Sequence, residues 1–202
     1  MRVGLFGGSF DPIHRGHVAA ALVAKRELAL QRVVFLPTAM PPHKLLRRFA
    51  PPLARYAMVE IALLEERDLR VSGVELTPGH PAFAIETLEK FRTKAPGDEH
   101  VLLVGADSLA AFDTWRRWEE ILATTEIGVF ARPGFGWEEI APAFAPPLAE
   151  AVGRARLTWL DSTTHPAAAS EIRRLLAAGE SLPDGWLDSR VLAFAKKYDL
   201  YQ

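Results

Sequence analysis

The sequence MRVGLFGGSFDPIHRGH occupies residues 1–17 and carries the strongest structural signal in the chain. The apolar run at residues 2–6 predicts a buried strand, because parallel strands covered on both faces are rich in Val, Leu and Phe. Paired glycines and a proline then end the strand, and a helical pattern begins near residue 17. A strand, a glycine-rich turn and a helix in this order are typical of α/β folds that bind ligands.

The same alternation continues to the end of the chain. Apolar runs predict further strands at residues 33–36, 69–76, 101–104, 127–131 and 157–160. Amphipathic patterns predict helices at residues 17–28, 53–66, 84–95, 108–122, 170–178 and 190–198. We therefore predict an α/β fold with a Rossmann-like, doubly wound parallel sheet and helices on both faces. We expect one domain over residues 1–202, with a small helical C-terminal portion, at about residues 165–202, packed on it.

Two proline-containing segments interrupt the pattern. Residues 36–52 follow a predicted strand and hold five prolines around a group of basic residues, so we predict a loop there. Residues 141–147 also carry prolines but no charge, and we interpret them as a surface connection.

Composition excludes several classes of function. The 202 residues include 24 basic and 25 acidic side chains, and this balance argues against a nucleic-acid partner. No apolar run approaches the roughly 18 residues of a membrane helix, so we predict no membrane partner. The chain has no cysteine, which suits a cytoplasmic location. Because it has neither a cysteine cluster nor a His-Glu-x-x-His motif, we predict no protein metal site.

The turn after the first strand has the chemistry of a phosphate site. Gly7 and Gly8 allow a sharp turn and the close approach of a ligand to main-chain amides. The start of the next helix offers N–H groups and a positive dipole end. His14 and His17 lie three residues apart, so both imidazoles can donate from one face of the helix. Neither a P-loop nor a G-x-G-x-x-G motif follows the strand.

These motifs resemble those of a known family. Residues 7–17, GGSFDPIHRGH, look like the signature of the nucleotidyltransferase superfamily with the His-x-Gly-His motif. Further stretches are similar to bacterial nicotinate-nucleotide adenylyltransferases. They are PPHK at 41–44, FAIETL at 83–88, GADSL at 105–109 with Phe112 and Trp115, RPG at 132–134, SEIR at 170–173 and LY at 200–201.

The resemblance implies an enzyme of NAD biosynthesis. It would join the phosphate of nicotinate mononucleotide to the α-phosphorus of ATP, forming deamido-NAD and pyrophosphate. Its small-molecule partners would be ATP and this mononucleotide. Mg²⁺ would enter with ATP, held mostly by phosphates and water. Positioning and charge stabilisation would carry the catalysis, since the attacking phosphate oxygen is already anionic.

The resemblance also implies the site residues. The catalytic residues would be His14, His17, Lys44 and Arg173. ATP would be bound by these two histidines and by Gly7, Gly8, Ser9, Phe10, Gly105, Asp107, Arg132, Ser170 and Arg173. The mononucleotide would be bound by Ser9, Lys44, Ala84, Asp107 and Trp115, with Lys44 on its phosphate, Trp115 stacked on its ring and amides near Ala84 on its carboxylate.

Alternatives stay open at several levels. Asp107 and Ser170 could instead be helix N-caps, Trp115 a core residue and Lys44 a solvated lysine. The phosphate acceptor could be the amide-form mononucleotide or another group such as phosphopantetheine. A nucleotide-binding sensor without catalysis, or an α/β domain with protein partners only, would be a function of a different class.

Overall fold

The computed structural model of this chain describes residues 1–39, 49–77, 82–131, 135–161 and 165–202. Within them the backbone forms a sheet of six strands in the order β3-β2-β1-β4-β5-β6. The strands are β1 (Arg2–Gly8), β2 (Arg32–Pro37), β3 (Leu69–Val71), β4 (Glu99–Gly105), β5 (Glu126–Phe130) and β6 (Leu157–Leu160). The pairs β1–β4, β4–β5 and β5–β6 are parallel.

The strand order shows where a ligand is expected. It is the order of doubly wound α/β folds, which confirms the predicted fold class. The order reverses between β1 and β4, and ligands of such folds bind beyond the carboxyl ends of the strands at this point. Phe6 pairs with Leu103, so these two carboxyl ends lie side by side.

The described residues contain nine α-helices. They are α1 (Arg15–Glu27), α2 (Pro52–Ala62), α3 (Ala84–Lys94), α4 (Ala106–Leu109), α5 (Trp118–Thr124), α6 (Trp137–Ile140), α7 (Pro146–Arg154), α8 (Ala169–Ala177) and α9 (Ser189–Lys197). Over the part of the chain described, none of the helices has the length and apolar composition to cross a bilayer.

The chain divides into two compact units, each made of separate stretches of sequence. The first unit comprises Met1–Gly7, Val23–Val33 and Phe83–Ser162, and the second unit comprises Gly8–Leu22, Val34–Ala82 and Thr163–Gln202. The single domain expected for residues 1–202 stays a prediction.

The first unit contains β4, β5 and β6 with nearly all of β1. Val101 and Ile127 on neighbouring strands are fully buried, and burying such a side chain contributes about 2 kcal/mol. At the amino ends of the strands, the Arg2 guanidinium contacts Glu99 at 2.6 Å and Glu126 at 2.7 Å. This arginine therefore connects β1 to both β4 and β5.

The second unit contains the beginning of α1 together with the helices α2, α8 and α9. Helix α9 packs on α2, and both Met58 and Val191 are fully buried. Asp188 caps α9 by accepting the Arg190 N–H at 2.8 Å, and its carboxylate also lies 3.4 Å from Arg15 Nη2. Hydrogen bonds from Arg190 lower the pKa of Asp188 to about 2.

The capping carboxylate makes the stability of the fold depend on pH. Its pKa of about 2 lies below the ordinary value of 3.8, so its contribution is present above about pH 4 and is lost as the pH falls through the folded-state value. We expect Asp188→Asn to lower the free energy of unfolding by about 2 kcal/mol at neutral pH. Urea unfolding of both proteins at neutral pH and near pH 2.5 checks this, and an equal difference at the two pH values would contradict it.

Three predicted elements are shorter than their patterns indicated. Helix α2 ends at Ala62 and not near residue 66. Strand β3 ends at Val71 and not at residue 76, because the chain turns where Leu76 N–H donates to Gly73 O at 3.0 Å. The helix predicted at residues 108–122 is broken, with α4 ending at Leu109 and α5 beginning at Trp118. Between them Arg117 has a φ of +54°, a left-handed conformation that an α-helix cannot contain.

The proline-containing segment at residues 141–147 is more ordered than a surface connection. It contains a 3₁₀ turn at Ala141–Ala143 and the beginning of α7 at Pro146. Proline is compatible with a first helical turn, where its missing N–H would have no helical partner. The prolines therefore mark the start of a helix here.

Candidate active site

The glycine-rich loop after β1 lies in the second unit and is shaped by a buried ring. Phe10 is 1% exposed and has a φ of +44°, which is uncommon outside glycine. Its ring packs edge-on against His17, with centroids 5.1 Å apart, and contacts Phe35 at 5.3 Å. A Cβ on Gly8 would lie 2.8 Å from this ring. Any larger residue at position 8 would therefore have to displace the Phe10 ring.

The two histidines of the motif are stacked at the start of α1. Their ring centroids are 3.7 Å apart, with planes tilted by 31°. His14 N–H donates to His17 Nδ1 at 3.3 Å, and His17 N–H donates to His14 O at 2.9 Å. Because its Nδ1 accepts, the neutral His17 imidazole carries its proton on Nε2. Such an N–H can donate to an anion at a helix N-terminus.

The buried carboxylate of Asp11, in the same loop, lies close to Tyr201 and Arg173 from the C-terminal part of the chain. Asp11 is 1% exposed, and its Oδ1 accepts the Tyr201 hydroxyl at 2.8 Å and the Ala50 N–H at 3.1 Å. Its main-chain carbonyl accepts from Arg173 Nη1, which also lies 3.8 Å from Asp11 Oδ2. Burial, followed by the Asp11 charge, raises the pKa of Tyr201, so its hydroxyl is a donor at neutral pH.

A fully buried arginine holds the backbone around this loop. The Arg55 guanidinium is 0% exposed and donates to main-chain oxygens of Ser9 (2.6 Å), Thr38 (2.6 Å), Ala39 (3.3 Å) and Ala50 (3.0 Å). Burial lowers the pKa of Arg55, and the nearby Asp11 charge opposes this. Three of the acceptors flank residues 40–48, with Thr38 and Ala39 before them and Ala50 after them. Arg55 therefore connects both flanks of that stretch to the glycine-rich loop.

The start of α8 lies close to the histidines. A Cβ on Gly16 would be 3.0 Å from the His14 ring and 3.4 Å from Ala167 O, which leaves little room for any side chain there. The N-cap of α8 is Ala168, and Ser170 is an exposed residue in the first helical turn. The alternative prediction of Ser170 as the N-cap is therefore wrong.

The first unit carries other predicted residues at the carboxyl ends of its strands. A Cβ on Gly7, near the end of β1, would meet no atom within 4 Å. Gly105 ends β4 and is also the N-cap of α4. Asp107 is the second residue of that helix, so the alternative prediction of Asp107 as an N-cap is wrong.

The predicted residues for the mononucleotide ring, Ala84 and Trp115, both lie in the first unit. Ala84 begins α3, whose N-cap is Phe83. The Arg116 guanidinium lies 4.9 Å from the centre of the Phe83 ring and 2.8 Å from Glu86 Oε1. Its neighbour Trp115 is half-buried and stacks on Phe112, with centroids 4.6 Å apart. The turn that bears Trp115 therefore contacts the start of α3.

Two predicted site residues, Lys44 and Arg132, lie outside the described residues. In the residues that the structure does describe, no cluster of three or more His, Cys, Asp or Glu side chains could hold a metal ion.

Chemically, the second unit gathers groups that suit an anionic ligand. Two imidazoles, the Arg173 guanidinium and the N-terminus of α1 all belong to it. Together they provide N–H donors and positive charge, as a phosphate site requires.

Comparison with known proteins places the chain in a family. The model of the cytidylyltransferase-like family matches residues 5–175, which include both histidines and Arg173. A probable nicotinate-nucleotide adenylyltransferase of Solibacter usitatus is 41% identical over 202 residues, covering 100% of both chains. The chain belongs to the nicotinate-nucleotide adenylyltransferase family. Another member, from Thermus thermophilus, is 38% identical over 202 residues, again 100% of both chains.

Solved structures agree with this family membership at the level of the fold. A Plasmodium falciparum nicotinic acid mononucleotide adenylyltransferase complexed with NaAD has a TM-score of 0.77, covering 99% of this chain and 97% of that chain at 14% identity. The same enzyme complexed with APC has a TM-score of 0.78, covering 99% and 96% at 14% identity. The family predicted from the sequence motifs is confirmed.

Proposed function

We propose that this protein is the cytoplasmic enzyme that transfers the adenylyl group of ATP to nicotinate mononucleotide, in NAD biosynthesis. The observation that carries the proposal is the stacked pair His14 and His17 at the N-terminus of α1, in a chain of the nicotinate-nucleotide adenylyltransferase family. A paired imidazole site at a helix N-terminus suits a triphosphate.

On the ATP side, His14 and His17 donate to the phosphates, where negative charge accumulates during transfer. Arg173 and the N-terminus of α8 with Ser170 bind the β- and γ-phosphates, because a guanidinium offers several donors in a fixed plane. The loop formed by Gly7, Gly8, Ser9 and Phe10 leaves room for the nucleotide. The remaining residues proposed to bind ATP are Gly105, Asp107 and Arg132.

On the acceptor side, Lys44 and Ser9 bind the mononucleotide phosphate and Asp107 a ribose hydroxyl. Trp115 stacks on the pyridine ring. The amides at Ala84 receive the carboxylate of the acid form, which the positive end of α3 attracts. This arrangement supports a preference for the acid over the amide.

The reaction needs no side chain as a base. An oxygen of the mononucleotide phosphate attacks the α-phosphorus of ATP, and the bond from that phosphorus to the bridging oxygen breaks as pyrophosphate leaves. The attacking oxygen is already anionic, so the protein's contribution is orientation and charge stabilisation. We propose that Mg²⁺ arrives with ATP as part of the substrate, because this ion binds phosphates and keeps several waters.

The test is a paired-acceptor assay. The protein is incubated with Mg-ATP and either the acid or the amide mononucleotide, and pyrophosphate release is measured. We expect release with the acid form and a kcat/KM at least about fivefold lower with the amide, the effect of roughly 1 kcal/mol from the helix dipole. The variant His17→Asn controls for contaminating activity. If ATP binds by calorimetry but neither acceptor causes release, a nucleotide-binding sensor is the better description.

A further inference from the structure

The buried contacts of Asp11 connect the end of the chain to the proposed phosphate site. The two Asp11 oxygens have different surroundings. Oδ1 accepts the Tyr201 hydroxyl at 2.8 Å and the Ala50 N–H at 3.1 Å. Oδ2 makes no hydrogen bond to a described residue and lies 3.8 Å from Arg173 Nη1. The two donors on Oδ1 therefore set the rotation of the carboxylate that faces Arg173.

The position of Arg173 follows from that of Asp11. Within the described residues, Arg173 has one hydrogen bond, from Nη1 to the Asp11 carbonyl. A guanidinium has five N–H donors, so most remain available to a ligand. The carboxylate at 3.8 Å attracts the guanidinium without a short hydrogen bond, which orients Arg173 and leaves its donors for phosphate.

We infer that Tyr201 is a positioning residue for phosphate binding, acting through Asp11 on Arg173. The inference rests on the proposed function, in which Arg173 binds the ATP phosphates. The Tyr201 hydroxyl supplies one of two hydrogen bonds to a carboxylate that is 1% exposed. Without this donor the carboxylate can rotate, and Arg173 loses its fixed orientation.

The variant Tyr201→Phe removes only the hydroxyl and keeps the ring. We expect kcat/KM for ATP to fall by about tenfold, the scale of one hydrogen bond to a charged group. The KM for the mononucleotide should stay within about twofold of wild type, because Arg173 has no part in the proposed binding of the mononucleotide. Tyr198→Phe is the matched control, since Tyr198 is 55% exposed and near the same end of the chain; it should behave as wild type.

A double-mutant cycle separates positioning from a general effect on stability. Once Arg173→Ala has removed the guanidinium, Tyr201→Phe should lower kcat/KM for ATP by no more than about twofold further. If Tyr201 had only a structural role, the fold-losses in kcat/KM caused by the two substitutions would multiply in the double variant. Multiplying losses, or a wild-type kcat/KM for ATP in Tyr201→Phe, would overturn the inference.

A binding measurement keeps this inference distinct from the proposed function. Calorimetry should show weaker ATP binding by Tyr201→Phe than by wild type and Tyr198→Phe, whether or not turnover occurs. If wild type released no pyrophosphate with either acceptor, the proposed function would fail, and the ATP affinities would still decide the role of Tyr201.

Discussion

The variant His17→Asn should lose about a hundred- to a thousandfold in kcat for adenylyl transfer, the typical effect of removing one donor to a developing negative charge. The asparagine Oδ1 can take the place of the imidazole Nδ1 and accept the His14 N–H, which keeps this hydrogen bond at the start of α1. The group that the asparagine lacks is the N–H donor at the position of His17 Nε2. The loss should therefore appear in turnover, with little change in the unfolding temperature.

The variant His17→Gln provides the matched control. Its side-chain amide reaches the position of Nε2, so it can donate to the phosphate while the contact with His14 N–H is weakened. We expect it to retain more activity than His17→Asn and to be slightly less stable. Pyrophosphate release and thermal unfolding by circular dichroism check both variants. An asparagine variant within about threefold of the wild-type kcat would exclude His17 from charge stabilisation.

The second large effect concerns stability. We expect Arg55→Met to lower the free energy of unfolding by about 4 kcal/mol, since it leaves several buried main-chain oxygens without a donor, each at a cost of roughly 1–3 kcal/mol. Methionine fills a similar volume but cannot donate to the main-chain oxygens of Ser9, Thr38, Ala39 and Ala50. Such a loss is a large part of the roughly 5–15 kcal/mol by which domains are stable.

The matched control for this variant is Arg154→Met. Arg154 is an exposed helical residue that pairs with Glu150 one turn away, so its loss should cost only about 0.3–0.5 kcal/mol. Urea unfolding measures the stability loss of each variant as a shift in the midpoint urea concentration, with the dependence of the unfolding free energy on urea unchanged. If Arg55→Met does not fold, Arg55→Lys, which keeps the charge but cannot reach every acceptor, should fold with an intermediate loss. A loss below about 1 kcal/mol in Arg55→Met would contradict the buried network.

The sequence predicted the elements that depend on local pattern. Apolar runs located all six strands of the described sheet. Strands β1, β4 and β5 are buried over most of their length, as their continuous apolar composition predicts. The loop containing His14 and His17 was also predictable, since its glycines, proline and helix start are adjacent in the chain. The family motifs then indicated the residues expected to bind the substrates, although two of them, Lys44 and Arg132, lie outside the described residues.

Features that depend on distant contacts were not predictable. Arg55 lies in an amphipathic pattern, where an arginine normally faces solvent, and its acceptors come from residues 9, 38, 39 and 50. The role of Tyr201 depends on Asp11, 190 positions away in the chain. The break at Arg117 comes from a left-handed backbone for which arginine gives no local signal.

The two adjacent glycines of the loop impose different limits on protein engineering. A methyl group at position 8 would lie 2.8 Å from the Phe10 ring, and overpacking of this kind costs roughly 1–3 kcal/mol, so variants at this position lose stability. The same group at position 7 meets no protein atom within 4 Å and would occupy volume that the proposed nucleotide needs. A screen for expression would accept alanine there, whereas a screen for turnover would reject it.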